Sequence, residues 1–263
     1  MIASSTFGSS SAPAVLLIGG SGASMDWWTP EFCARLAAGG RFVIRYDHRD
    51  TGESPSYPPG SPGYTGADLV TDAVSVLDAL GVPAAHVVGL SMGGAIAQQL
   101  GLNHPTRVLS LALLATSGGA GDPDLPGMAP SVAAAFERLA EPDWTDDAAV
   151  VEYLVEGQRI LSAEPYDAEE IREIARVAVA RTKNNQSSQT NHHATVGAGS
   201  WRARLAEITV PTVVLHGDSD PLFPLPHGEA LAREIPGARL VVLPHTGHEF
   251  PSRNWPLVLP ELQ

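Results

Sequence analysis

His86-Val87-Val88-Gly89-Leu90-Ser91-Met92-Gly93-Gly94 carries the pattern G-x-S-x-G at positions 89 to 93. Residues 86–90 read as a short apolar strand, bounded upstream by Gly81 and Pro83. Residues 94–103 read as a helix that Pro105 stops. A strand that turns straight into a helix leaves no room for β-carbons beside the serine, so glycine belongs where crowding is worst. In a chain with 26 glycines the motif alone is a modest signal. Between a strand and a helix it marks a sharp turn that lifts the Ser91 hydroxyl off the sheet.

Outward from this turn, β-rich runs alternate with helical patterns. Strands are expected at 14–18, 41–46, 86–90, 108–114, 212–216 and 239–243. Residues 67–80 place Leu69, Ala73, Leu77 and Leu80 on one helical face, with Thr65 and Asp68 as a capping pair and Gly81 as the stop. Thr29-Pro30 opens a helix over 30–38. Strand and helix in alternation require crossover connections, hence an α/β fold with a mostly parallel central sheet flanked by helices. The rhythm breaks at 118–200: first Gly/Pro-rich, then helical at 131–139, 146–161 and 168–181, then polar from Thr182 to His193. That interval reads as an inserted helical lid on a core formed by 1–117 and 201–263. Serine-rich residues 4–11 precede the first strong strand, and both ends look short for this architecture, as though an edge strand or terminal helix were missing.

Composition narrows the class. A chain of 263 residues at 44% hydrophobic and 17% charged is a globular protein. Its net charge of −13 disfavours nucleic acid and anionic membrane surfaces as partners. With Cys33 as its one cysteine, no internal disulfide or Cys-based metal cluster can form, and a packed thiol is expected. No apolar run approaches a membrane span and no signal peptide opens the chain, so the expectation is cytoplasmic.

A serine hydroxyl is a weak nucleophile at neutral pH and needs a base held by a carboxylate. In strand–turn–helix folds of this kind the acid and the histidine follow the serine in the chain. His216-Gly217-Asp218-Ser219-Asp220-Pro221, directly after a strand, offers two carboxylates. Asp218 suits a turn cap, whereas Asp220 stands further out with Pro221 setting its exit. Pro244-His245-Thr246-Gly247-His248-Glu249 follows the last strand; His248, behind Gly247, is the better base and His245 suits the turn. Backbone N–H donors for an oxyanion are expected from Met92 and from the loop Gly19-Gly20-Ser21-Gly22. The same loop does not fit phosphate binding: no Walker lysine follows, and Ala23, Ser24 and Met25 break the dinucleotide pattern. The charged run Asp47–Ser54 reads as a structured turn in which Arg49 pairs with a carboxylate. Trp27 or Trp28 is a candidate for pocket lining, as is His193; exposure is the expectation for both His192 and His193.

Taken in order, these stretches resemble the α/β-hydrolase superfamily. The resemblance rests on the glycine loop, Asp47-His48-Arg49 with Gly52 and Ser54, the turn at Ser91, the run from His216 to Asp220, and Gly247-His248. Within it the chain looks like the bacterial serine esterases related to aclacinomycin methylesterase, through Gly19-Gly20, Arg45–Gly52, Ala85–Gly93 and Pro226-His227-Gly228. The resemblance implies Ser91, Asp220 and His248 as the catalytic residues, and Gly20 or Ser21 with Met92 as oxyanion donors. It implies a serine carboxylic ester hydrolase needing no cofactor and no metal. A small or medium ester is the implied substrate, with the methyl ester of a polyketide-type compound as one example. Rivals with the same three residues are a cofactor-free perhydrolase or haloperoxidase and an acyltransferase; a rival of another class is a ligand-binding receptor on this fold. Oligomeric state is not legible.

Overall fold

In the computed structural model, which describes residues 1–119, 122–195 and 200–263, seven strands form one sheet. They are β1 (Ser4–Phe7), β2 (Ala14–Ile18), β3 (Phe42–Tyr46), β4 (Ala85–Leu90), β5 (Val108–Leu114), β6 (Thr212–Gly217) and β7 (Arg239–Leu243), in the spatial order β1-β3-β2-β4-β5-β6-β7. From β3 across to β7 neighbouring strands are parallel, and β1 pairs antiparallel with β3.

The strands are apolar almost throughout because both sheet faces are covered, as parallel sheets require. Leu16, Ile18, Ile44, Val87, Leu111, Leu113 and Val214 point to one face. There they meet the helices α2 (Gly66–Ala79), α3 (Met92–Asn103) and α8 (Pro226–Glu234) through Leu69, Leu77, Ile96, Leu100 and Leu231. The alternate residues Val15, Leu17, Val43, Val88, Leu114 and Leu215 turn the other way. They pack on α1 (Pro30–Ala38) and α9 (Trp255–Val258) through Phe32, Leu36, Trp255 and Val258. Cys33 is buried in this second layer, and burial pushes its thiol pKa up to about 12.

The order of the strands positions the site. From β2 the chain passes through α1 to β3 on one side, then returns through α2 to β4 on the other side of β2. Connections therefore diverge at the carboxyl ends of β2 and β4, leaving a crevice there. The Gly19–Gly22 loop leaves β2 at that point, and Ser91 leaves β4 beside it.

Between β5 and β6 lie α4 (Pro130–Arg138), α5 (Asp147–Leu161), α6 (Ala168–Arg181) and α7 (Asn185–Ala194). Residues 120–121 and 196–199 of the expected 118–200 insertion fall outside the described residues. Helices α5 and α6 share a small apolar cluster of Val150, Val151, Val155, Ala175 and Val179. Two sequence expectations need correction. The serine-rich opening contains the edge strand β1, whose alternation of exposed and half-buried residues needs no apolar run. The polar stretch after Thr182 is largely the helix α7, capped by Asn184, whose side chain accepts from Ser187 N–H at 3.0 Å. Among the described residues no helix is long and apolar enough to cross a membrane.

Candidate active site

Ser91 sits at φ 55°, ψ −116°, a left-handed conformation costly for any residue with a β-carbon. The surroundings impose it. Ser91 N–H donates to the Leu114 carbonyl at 2.9 Å, and the Thr116 hydroxyl donates to the Ser91 carbonyl at 2.8 Å. The glycine on the far side is equally constrained: a β-carbon on Gly93 would run into the Ile18 carbonyl, so α3 docks directly on the end of β2.

A chain of hydrogen bonds leads away from the hydroxyl. Ser91 Oγ lies 2.9 Å from His248 Nε2, and His248 Nδ1 lies 2.9 Å from Asp220 Oδ2. A carboxylate only accepts, so His248 carries its proton on Nδ1 and leaves Nε2 bare toward the serine. Asp220 is buried, and its other oxygen accepts from Leu222 N–H at 2.9 Å and Phe223 N–H at 2.8 Å. Burial alone would raise its pKa; the His248 bond and charge, with Phe223 N–H and nearby His216, outweigh this and hold it below the ordinary carboxylate value. Asp218 is exposed and accepts from the Ser219 hydroxyl at 2.8 Å, away from His248. His245 is exposed on its turn at φ 50°. Of the two carboxylates and two histidines in these loops, Asp220 and His248 are the pair brought to Ser91.

The glycine loop comes close. A β-carbon on Gly20 would lie 3.6 Å from Ser91 Cβ, so the backbone at Gly20 and Ser21 runs alongside the serine. Met92 is the first residue of α3, where an N–H has no carbonyl within its own helix. Both sources of N–H thus border the Ser91 hydroxyl, and the positive end of α3 favours negative charge there.

Other expected pocket residues divide. Trp28 is 2% exposed and packs between Phe32 and Phe250, with ring centroids 5.6 and 5.1 Å away; it belongs to the core, and its expected place in a pocket is corrected. Trp27 is half-buried. His193 is exposed, with Nε2 3.5 Å from Ser21 Oγ. His192 departs from its expected exposure: it is 5% exposed, because α7 turns it inward onto Gly22 and Arg49. Arg49 pairs with Asp72 through two bonds of 2.6 and 2.9 Å.

Several contributors had no mark in the sequence. The Leu161 carbonyl, at the end of α5, accepts His248 N–H at 2.8 Å. Glu249 Oε1 accepts from Ala163 N–H at 3.1 Å, Gly247 N–H at 3.3 Å and Arg253 at 2.7 Å. The end of α5 and the residues just after it therefore grip the loop that carries His248. A carbonyl has no residue signature, and Glu249 beside His248 was the one available hint. Among the described residues no group of three or more His, Cys, Asp or Glu side chains is arranged to hold a metal ion.

Residues 13–252 match the family model described as alpha/beta hydrolase fold. The chain is 38% identical to rhodomycin D methylesterase DauP of Streptomyces sp. (strain C5), over 90% of this chain and 85% of that protein. It is 37% identical to rhodomycin D methylesterase DnrP of Streptomyces peucetius over the same shares. Among solved structures, a hydrolase from Pseudomonas aeruginosa PA01 superposes with a TM-score of 0.71 at 29% identity, covering 99% of this chain and 92% of that one. With the seven-stranded sheet, the flanking helices and a match along nearly its whole length, the chain belongs to the alpha/beta hydrolase fold family.

Proposed function

We propose that the protein is a serine carboxylic ester hydrolase in which Ser91 is the nucleophile, His248 the general base and Asp220 the group that orients and stabilises the imidazolium. The hydrogen-bonded line from Ser91 Oγ through His248 to Asp220 carries this reading. Ser91 Oγ attacks the ester carbonyl as its proton passes to His248 Nε2. The resulting oxyanion accepts hydrogen bonds from Met92 N–H and from N–H groups of the Gly20–Ser21 backbone. Collapse breaks the bond to the alkoxy group, which leaves as an alcohol with the proton from His248. A water molecule, giving its proton to the same nitrogen, then attacks the acyl-enzyme and releases the acid. The helices α4 to α7 act as a lid over this crevice, with His193 and Trp27 at its rim. The two methylesterase relatives support methyl esters of polyketide-type acids as the substrate class.

The test is a p-nitrophenyl ester series, acetate through decanoate, on wild type and Ser91→Ala, followed by methanol release from rhodomycin D. Turnover that vanishes in Ser91→Ala, a loss on the order of 10⁴-fold or more, is the expected result. Equal turnover in both proteins would remove Ser91 from the mechanism. Activity on p-nitrophenyl esters without methanol release would keep the esterase and discard the methyl ester.

A further inference from the structure

The loop Gly19–Gly22 is held between two buried histidines that the mechanism above does not use. From the core side, His48 Nε2–H donates to the Gly19 carbonyl at 3.0 Å. From the insertion, His192 Nδ1 accepts Gly22 N–H at 2.9 Å, while its Nε2–H donates to the Arg49 carbonyl at 2.9 Å. One neutral tautomer satisfies both His192 bonds, and the other satisfies neither. The two rings meet edge to face at 5.6 Å. Helix α7 also reaches the second polar group of Gly22: Gln189 Nε2 donates to its carbonyl at 3.3 Å. Gly22 itself has φ +72°, and a β-carbon there would lie 2.9 Å from Gln189 Nε2 and 3.1 Å from the Ser188 carbonyl. The helix thus rests directly on the backbone two residues beyond Gly20, which borders Ser91.

We propose that His192 is a positioning residue of this loop: by accepting Gly22 N–H, it lets α7 set where the Gly20 and Ser21 N–H groups stand relative to Ser91. The inference rests on the esterase reading. A hydrogen-bond donor aimed at an oxyanion is useful only where the charge develops, and a loop rich in glycine has little stiffness of its own. An acceptor fixed on a packed helix supplies that stiffness. Burial, reinforced by the neighbouring His48, depresses the His192 pKa to about 3, so Nδ1 remains an acceptor through the neutral range. A competing account makes His192 only an anchor of α7, acting through the Arg49 carbonyl.

The two accounts separate by substitution. The terminal atoms of asparagine fall near Nδ1 of the histidine it replaces, and those of glutamine near Nε2. His192→Asn therefore keeps an acceptor for Gly22 and loses the bond to Arg49, and His192→Gln does the reverse. Turnover of p-nitrophenyl acetate is measured for both, with His192→Ala, Ser91→Ala and wild type alongside. Removing an oxyanion donor outright lowers kcat by about 10² to 10³; a displaced donor should lower it by about 10- to 100-fold. That loss is expected in His192→Gln and His192→Ala with KM within about twofold, and His192→Asn should stay within about threefold of wild type. A boronic acid that forms a tetrahedral adduct on Ser91 should weaken in the same order. Retention by His192→Gln with loss in His192→Asn would overturn the proposal in favour of the anchor, and wild-type kcat in all three would overturn it as well. Thermal melting of the Asn and Gln variants verifies that both are folded, so the test stands even if His192→Ala is not. Turnover independent of Ser91 would instead remove the Ser91 mechanism on which the inference rests.

Discussion

The sheet and the helix α7 are held to the same molecule by opposite means. In the sheet, Leu16, Leu17, Ile18, Val43 and Ile44 are fully buried among apolar neighbours. In α7 the buried residues are Ser187, Ser188, Asn191 and His192. Ser187 donates to the Tyr57 carbonyl at 2.6 Å; Asn191 donates to Asp50 at 2.9 Å and accepts Gly60 N–H at 2.7 Å. Just before it, Arg181 pairs with Asp26 and, at 2.9 Å, with the fully buried Asp47. Apolar burial is proportional to area and indifferent to direction, whereas each of these bonds holds only at one geometry. A sheet held by area gives a rigid base. A helix held by directed bonds fixes position, and it does so beside the loop next to Ser91.

The contrast can be broken from either side. Leu100→Ala, in the fully buried interior of α3, should destabilise the whole protein by about 2–5 kcal/mol in a denaturant titration, with the insertion and sheet unfolding together. Loss of the insertion signal first would refute a single cooperative unit. Arg181→Met should have a smaller and more local effect, about 1–3 kcal/mol, because it removes the cation shared by Asp26 and Asp47 while Ser24, Met25 and Glu53 still donate to them. Amide exchange should quicken in α6 and α7 while β4 and β5 stay protected; uniform quickening would mean that the ion pairs support the sheet as well.

Acid provides a third lever. Burial lowers the pKa of His48 to about 4 and that of His192 to about 3, from an ordinary value of 6.5. The unfolded chain therefore binds protons that the folded one refuses, and stability falls as pH drops from about 6.5 toward those values. The groups facing His192 are His48, Asp50, Tyr64 and His193, and the Asp50 charge offsets part of the penalty. Melting should fall by on the order of 5 °C between pH 6.5 and 4, and less in His192→Asn. An identical slope in that variant would place the acid sensitivity elsewhere. The mildest effect is expected from Glu249→Gln, which weakens the bonds to Gly247 and Ala163 without removing them. We expect kcat about three- to tenfold lower at unchanged melting temperature, and an unaltered kcat would detach the insertion from the His248 loop.

What could be read before folding follows the same division. The six strands expected from apolar runs, the capping pair Thr65 and Asp68 and the turn at Ser91 all appear, because strand burial and tight turns write themselves in residue type. The edge strand β1 leaves no apolar run, because one exposed side and half-buried neighbours need only serine, threonine and a single phenylalanine. Helix α7 reads in sequence as a polar stretch, since hydropathy carries no record of a hydrogen bond made across 130 residues, such as that from Ser187 to Tyr57. Nearness in the chain to the glycine loop makes Trp27 and Trp28 equal candidates for a pocket, yet the Trp28 ring packs in the core.

By itself, the sequence determined the α/β order of elements, the strained serine between strand and helix, and the two short loops that offer an acid and a histidine. Local sterics and burial decide such features, and both act within a few residues. Tertiary structure alone brought Asp220 and His248 into one hydrogen-bonded line with Ser91, turned His192 inward, and brought Leu161 and Glu249 to the His248 loop. Those choices depend on distances between segments remote in the chain, which exist only once the sheet has fixed where each strand ends.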